Sequence, residues 1–175
     1  GDGDLDAFIA TENKPNRIWL NDGTGIFKLD SEQSLGTEAS YGVALGDLDG
    51  DGDLDAFVGN LNEPNKVWLN DGSGVFTDKG QDLGTEDSYG VALGDLDGDG
   101  DLDAFVSNLN GLNKVWLNDS SGVFTDSGQA LGTEDSYGVA LGDVDGDGDL
   151  DLVCGNGQGE MDKVWWNGEG GDAVG

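Results

Sequence analysis

The feature that most constrains this 175-residue chain is an internal repeat. The hexapeptide Gly-Asp-Gly-Asp-Leu-Asp begins at Gly1, Gly50, Gly98 and Gly146, so that successive copies lie 49, 48 and 48 residues apart. Near-identical units of this length fold by packing on their neighbours, which predicts one repeat domain over residues 1–175. The units are residues 1–49, 50–97, 98–145 and, as a partial copy, 146–175.

Within one unit the apolar residues form short runs that are typical of β-strands. Between residues 40 and 88 these runs are residues 41–45, 56–58, 66–69 and 74–77, and Gly, Asn and Asp lie between them. β-Branched and aromatic residues bounded by turn-forming residues favour strands. Four short strands in each unit are typical of a β-propeller blade. A parallel β-helix, which repeats at about half this length or less, is the second interpretation.

The two characteristic segments of the repeat occur in different numbers along the chain. The segment Tyr-Gly-Val-Ala-Leu begins only three times, at Tyr41, Tyr89 and Tyr137, whereas the hexapeptide occurs four times. We therefore predict an all-β fold of about three and a half four-stranded blades, as an open arc or as part of a larger propeller. Unpaired blade edges favour association, so the expected partners are further copies of the chain or adjacent repeats, in a homo-oligomer or a fibre.

The composition excludes several classes of function. The chain has 37 acidic and 7 basic side chains and a formal net charge of −30, so we expect no binding to nucleic acid. No apolar run approaches the roughly 18 residues of a spanning helix, and we expect no membrane insertion. The sequence has no histidine, which excludes Ser-His-Asp and Cys-His catalysis. Since no acidic pair breaks the repeat symmetry, we expect that the protein is not an enzyme.

An acidic loop follows each Tyr-Gly-Val-Ala-Leu-Gly segment. Numbered from its first aspartate, the loop has carboxylates at positions 1, 3, 5, 7 and 9 and glycine at position 6. These aspartates are Asp47, Asp49, Asp51, Asp53 and Asp55, then Asp95, Asp97, Asp99, Asp101 and Asp103, then Asp143, Asp145, Asp147, Asp149 and Asp151. The spacing is close to that of the first half of an EF-hand loop. Position 12, where an EF-hand has a bidentate glutamate, is Val58, Val106 or Cys154.

This spacing predicts three Ca²⁺ sites. Five aspartates within nine residues would repel one another without a counter-ion, and alternate side chains of a tight loop converge on one point. Ca²⁺ is favoured over Mg²⁺ because it accepts more oxygen ligands in a less demanding geometry. The first copy retains only Asp2, Asp4 and Asp6. We expect these to form a partial fourth site that a neighbouring chain or segment completes.

The Asp-x-Asp-x-Asp-Gly-x-x-Asp pattern, followed by Asn-Lys-Val-Trp-Leu-Asn, resembles the FG-GAP/VCBS repeats of integrin-α-like β-propellers. The resemblance implies that the Ca²⁺ loop joins the first two strands of a blade. It also implies side-chain ligands at Asp47, Asp49, Asp51 and Asp55, a carbonyl ligand at Asp53, and the same set in the other two loops. Tyr-Gly replaces the Phe-Gly of the family name, which favours the bacterial type of repeat. Roles in adhesion or carbohydrate contact are implied as well.

Extracellular calcium modules bind calcium at about 10⁻⁴–10⁻³ M, an affinity that is useful only where calcium is millimolar. The expected location is therefore extracellular or on the cell surface. The expected function is a calcium-stabilised structural or adhesive module, self-assembling or part of a longer surface protein, with glycans or cell-surface proteins as further partners. The alternative is a carbohydrate-binding propeller module. Its candidate ligand-binding residues are Trp166, Asn60, Asn108 and Asn156, which lie in the unit's variable parts. Asn118 begins an Asn-Asp-Ser glycosylation sequon.

Overall fold

The computed structural model describes residues 3–157 and 159–168, and these form strands and turns without a helix. None of them therefore provides a helix that could cross a membrane. The first seven strands are β1 (Ala7–Ile9), β2 (Arg17–Asn21), β3 (Phe27–Leu29), β4 (Ala39–Gly46), β5 (Asp55–Leu61), β6 (Lys66–Asn70) and β7 (Phe76–Asp78). The next seven are β8 (Asp87–Gly94), β9 (Asp103–Leu109), β10 (Lys114–Asn118), β11 (Phe124–Asp126), β12 (Ser136–Gly142), β13 (Asp151–Asn156) and β14 (Lys163–Trp165).

The strands form four antiparallel sheets. Sheet 1 contains β1–β3, sheet 2 contains β4–β7, sheet 3 contains β8–β11 and sheet 4 contains β12–β14, each in chain order. The prediction of propeller-type blades in an open arrangement is thereby confirmed. Within the described residues, sheet 1 lacks the counterpart of β4 and sheet 4 lacks the counterpart of β7. Each complete acidic loop lies between the first and second strands of its sheet, so a blade begins before the hexapeptide.

The core lies between successive sheets, where apolar residues of neighbouring sheets form three clusters. The cluster between sheets 2 and 3 contains Phe57, Val67, Leu83, Trp116 and Phe124. Ile18 and Trp68 contribute to the equivalent cluster between sheets 1 and 2, and Phe105 and Leu152 to that between sheets 3 and 4. Trp68 and Trp116 therefore pack between sheets, as their periodic spacing indicates.

The first strands of sheets 2, 3 and 4 stand next to one another. The rings of Tyr41 and Tyr89 are stacked with centroids 4.6 Å apart, and those of Tyr89 and Tyr137 meet edge to face at 5.3 Å. Hydrogen bonds also join the sheets. Asn113 Nδ2 of sheet 3 donates to Ser136 Oγ of sheet 4 at 3.0 Å. The acidic loops of sheets 3 and 4 line a common cavity, which Asp97 and Asp149 border.

Cys154 lies in this core. Its side chain is fully buried on β13, and burial raises the pKa of its thiol to about 12. The thiol is therefore neutral at physiological pH and acts as a small apolar group.

Candidate metal centre

Each complete acidic loop brings three carboxylates together. In each group, one oxygen from every aspartate lies within 4.8 Å of the others. The groups are Asp47, Asp49 and Asp55; Asp95, Asp97 and Asp99; and Asp143, Asp145 and Asp151. Positions 1 and 3 therefore converge in all three loops, with position 9 or position 5 as the third member.

The backbone of the loop folds around its first aspartate. Asp47 Oδ1 accepts a hydrogen bond from Gly50 N at 2.8 Å, and Asp47 Oδ2 accepts one from Gly52 N at 3.0 Å. The second bond requires a sharp turn at Gly52, whose φ is +93°. Since L side chains rarely adopt this conformation, the glycine at position 6 is a requirement of the loop. Asp95 makes the same two bonds in the second loop.

The aspartate at position 9 fixes the loop to the sheet. In the first loop, Asp55 is fully buried, accepting Leu48 N on Oδ2 and Asn70 N on Oδ1, both at 2.8 Å. Asp103 accepts the equivalent two bonds at 2.9 Å, and Asp151 accepts them at 2.8 and 3.0 Å. Each oxygen thus satisfies one N–H and retains lone-pair capacity for a cation.

The electrostatics of the position 9 carboxylates favour a bound cation. Burial raises the pKa of Asp55 and Asp103, and the nearby carboxylates of the same loop act in the same direction, against the two backbone N–H donors. In the third loop, the N–H groups of Asn167 and Val144 lower the pKa of Asp151. A divalent cation between the carboxylates would stabilise the ionised forms in every loop.

The aspartate at position 7 has a different environment. The carboxylate of Asp53 lies against Gly72, in the turn between β6 and β7, and Asp4 lies against Gly23 in the equivalent turn of sheet 1. None of the three carboxylate groups includes Asp53, Asp101 or Asp149. This is compatible with a carbonyl ligand at position 7, which remains a prediction.

Several of the predicted ligands lie outside the three carboxylate groups. Asp51, Asp103 and Asp147 do not join the carboxylate group of their own loop, although the repeat predicts identical sites. Among the described residues, Asp4 and Asp6 belong to no carboxylate group, and Asp2 lies outside those residues. Asp6 Oδ1 accepts Asn21 N at 2.8 Å, so the first copy keeps the position 9 contact with the sheet.

The donor chemistry fits a hard cation. Every group consists of carboxylate oxygens, with neither sulfur nor imidazole, which is the ligand set that Ca²⁺ and Mg²⁺ prefer. The positions 1 and 3 carboxylates are half-buried or exposed, so an ion can reach them from solvent. The residues present can therefore hold a divalent cation in each complete loop.

A repeated asparagine that the sequence reasoning missed connects successive loops. Asn118 N donates to Asp103 of its own sheet at 2.9 Å, while Asn118 Nδ2 donates to Leu48 O in the preceding loop at 2.9 Å. Asn167 Nδ2 reaches Leu96 O in the same way at 2.7 Å. The signal was its recurrence after each Trp-Leu or Trp-Trp step. Because Asn118 is only 7% exposed and its amide nitrogen is bonded, it is not accessible for glycosylation in the folded chain.

The candidate carbohydrate-binding residues do not form a common surface. Asn60 and Asn108 are 1% exposed, and their amides bond to Ser40 and Pro64 O, and to Ser88 and Leu112 O. Asn156 makes the equivalent bonds to Ser136 and Met161 O. Trp166 instead lines a cavity of about 300 Å³ between sheets 3 and 4. Asn60 and Asn108 are therefore unavailable to a surface ligand, because they satisfy the backbone of the strand-connecting loops.

These features define a class of protein: an all-β repeat protein with an acidic, cation-compatible loop in each complete repeat. The sequence profile described as FG-GAP-like repeat matches residues 1–58, 47–106 and 95–154. Because these matches span most of the sequence, the chain belongs to the FG-GAP-like repeat family, as its motifs indicated. This is a structural repeat family, whose repeats typically occur in extracellular or surface proteins. Among curated proteins, no sequence matches the chain significantly.

Proposed function

We propose that the chain is a calcium-stabilised structural or adhesive module of an extracellular or cell-surface protein, and that it works by self-association. The observation that carries the proposal is the convergence of three carboxylates in each complete loop, at the same place in three successive sheets. A fourth ion at Asp2, Asp4 and Asp6 requires ligands from a neighbouring chain or segment.

Calcium is the favoured cation because the loop offers many oxygens within a short stretch of chain. Besides the three clustered carboxylates, each loop carries two further aspartates and backbone carbonyls close by. Mg²⁺ demands near-ideal octahedral geometry and retains its waters, whereas Ca²⁺ accepts six to eight oxygens. Sites of this kind in extracellular modules bind at about 10⁻⁴–10⁻³ M, which supports a location where calcium is abundant.

The free face of sheet 1 supports self-association. Trp19 is 38% exposed, whereas its counterparts Trp68 and Trp116, which a preceding sheet covers, are 8% and 7% exposed. Phe27 and Leu29 add to this apolar face with exposures of 45% and 41%. An apolar sheet face beside an unpaired edge is a contact surface for another sheet. Three calcium ions would also reduce the formal net charge from −30 to −24, which lessens repulsion between copies.

Sedimentation or native mass measurement over a range of protein concentrations tests this proposal. With calcium in excess, we expect particles larger than one chain that grow with protein concentration and dissociate in chelator. Trp19→Asp should reduce the association, because it places a charge on the free face of sheet 1. Met161→Asp, a matched change at a loop residue that is 73% exposed, should not. A single chain at every concentration, with and without calcium, would contradict the self-association.

A further inference from the structure

Two repeated contacts join each complete acidic loop to the next one along the chain. We call residues 47–55, 95–103 and 143–151 the first, second and third loops. In every loop, position 2 is an apolar residue between the clustered carboxylates of positions 1 and 3. An ion that those two carboxylates hold therefore also fixes position 2, and this is where the contacts with the next loop begin.

The first contact is a hydrogen bond from an asparagine that also holds the next loop. Leu48, at position 2 of the first loop, donates its N–H to Asp55 of that loop at 2.8 Å. Its carbonyl accepts Asn118 Nδ2 of sheet 3 at 2.9 Å. Asn118 also bonds the second loop, through Nδ2 to Leu102 O at 3.2 Å and through its backbone N–H to Asp103 at 2.9 Å. One asparagine therefore connects position 2 of the first loop with positions 8 and 9 of the second.

Asn167 connects the second and third loops in the same way. Its Nδ2 donates to Leu96 O, at position 2 of the second loop, at 2.7 Å. Its backbone N–H donates to Asp151, at position 9 of the third loop, at 3.0 Å. Asp151 belongs to the carboxylate group of its loop, so this bond ends on a candidate ligand. The connection is therefore present at both junctions between complete loops.

The second contact is the packing of a leucine on a glycine. Leu102, at position 8 of the second loop, lies on Gly46, the residue before the first loop. A Cβ built at Gly46 would stand 2.6 Å from Leu102 Cδ1, so a side chain at this position would displace the leucine. Leu150 of the third loop lies on Gly94 in the same manner, with a corresponding distance of 2.7 Å. The end of each loop thus packs against the start of the preceding one.

Burial makes the first of these junctions sensitive to the order of both loops. Leu48 is 1% exposed and belongs to the apolar cluster between sheets 2 and 3, and Asn118 is 7% exposed. A buried polar group that loses its partner is costly, so movement of the first loop disturbs the bond between Leu48 and Asn118. An ion that orders the first loop therefore also places Asn118 for the second loop. The second ion then has less to order, which favours its binding.

We propose that Asn118 and Asn167 are positioning residues that make calcium binding positively cooperative between neighbouring loops. The inference rests on the proposed calcium-dependent function and deepens it, because coupled sites respond more steeply to calcium than separate ones. The opposing effect is electrostatic, since a first bound ion weakens the negative potential at the neighbouring site. Salt at about 0.15 M screens that effect and leaves the buried contacts in place.

Native mass spectrometry of two variants, each with two complete loops, tests the inference. Asp143→Ala removes position 1 of the third loop and leaves two neighbouring loops. Asp95→Ala leaves the first and third loops, which neither asparagine connects directly. During a calcium titration in about 0.15 M salt, the populations of the chain with no, one and two ions are measured. The population ratio is the product of the zero-ion and two-ion populations divided by the square of the one-ion population. It should be about fivefold larger in Asp143→Ala than in Asp95→Ala.

Two asparagine substitutions show whether these side chains cause the coupling. Added to Asp143→Ala, Asn118→Ala should reduce the population ratio to that of Asp95→Ala, because no amide then joins the two loops. Asn167→Ala in the same background is the matched control and should leave the ratio unchanged, since it affects only the junction with the disabled loop. With Asp47→Ala, which disables the first loop instead, the two asparagines should exchange roles. A general loss of stability would not produce this exchange.

A population ratio in Asp143→Ala that is no larger than in Asp95→Ala would overturn the inference. An unchanged ratio after replacement of either asparagine at its own junction would overturn it as well. If Asn118→Ala does not fold, Asn167→Ala in the Asp47→Ala background decides alone. Two ions that bind without coupling would refute only the cooperativity, because the calcium sites themselves would stand. Absence of bound calcium would refute both the cooperativity and the proposed function.

Discussion

Removal of calcium by a chelator is expected to lower the thermal unfolding midpoint of this chain by about 15–30 °C. A ligand at about 100 times its Kd stabilises the folded state by about 2.7 kcal/mol per site, so three such sites, counted separately, contribute about 8 kcal/mol. That is comparable with the whole stability of an ordinary domain. The structure gives the physical reason, because each loop holds clustered carboxylates that repel one another without a cation.

Circular dichroism in excess calcium, in excess magnesium and in chelator measures this effect. Magnesium should reverse only a small part of the decrease in the unfolding midpoint that chelator causes, since its smaller, more rigid coordination shell fits the loops less well. Equal midpoints in calcium and in chelator would contradict a structural role for calcium. Equal midpoints in calcium and magnesium would contradict the choice of ion.

The second large effect is expected from Asp103→Ala, measured by urea unfolding in chelator. The substitution leaves the N–H groups of Leu96 and Asn118 without their carboxylate acceptor at a fully buried position. A buried donor without a partner costs about 1–3 kcal/mol, so the free energy of unfolding should fall by about 2–6 kcal/mol even without metal. Asp103→Asn should cost less, because its amide keeps one acceptor oxygen.

Asp97→Ala is the matched control within the same loop. Asp97 is exposed and, among the described residues, accepts a hydrogen bond only from Asp99 N, at 3.2 Å, so its loss should change the stability in chelator by no more than about 0.5 kcal/mol. It should nevertheless weaken calcium binding, because Asp97 belongs to the clustered carboxylates. A loss for Asp103→Ala in chelator that is no larger than the small loss expected for Asp97→Ala would contradict a structural role for position 9 apart from metal binding.

The sequence predicted the blades well because the repeat determines them. Each strand of sheets 2 and 3 lies at or near an apolar run bounded by Gly, Asn or Asp, and the loops lie between the first and second strands. The resemblance implied that Asp55 is a metal ligand. It did not indicate that the Asp55 carboxylate also accepts hydrogen bonds from two backbone N–H groups. Those bonds come from the start of the loop and from the end of β6, 15 residues further along the chain. A spacing pattern within one loop contains no information about that contact.

The contacts that join successive sheets could not be predicted for the same reason. Gln81 contacts Phe124 across 43 residues, and Asn118 contacts Leu48 across 70 residues. Both recur in register, so the repeat marked them as structurally equivalent without giving their partners. Asn60 and Asn108 were predicted to bind a surface ligand because they lie beside loops of variable sequence. In the structure their side-chain amide oxygens instead accept hydrogen bonds from the hydroxyl groups of Ser40 and Ser88.

A count of calcium ions bound to each chain, by native mass spectrometry, tests the central claim most directly. The three complete loops predict three ions per single chain, and Asp95→Ala, which removes the position 1 carboxylate of the second loop, predicts two. Binding of no calcium, or the same number of ions in Asp95→Ala as in the unaltered chain, would contradict the assignment of these loops as calcium sites.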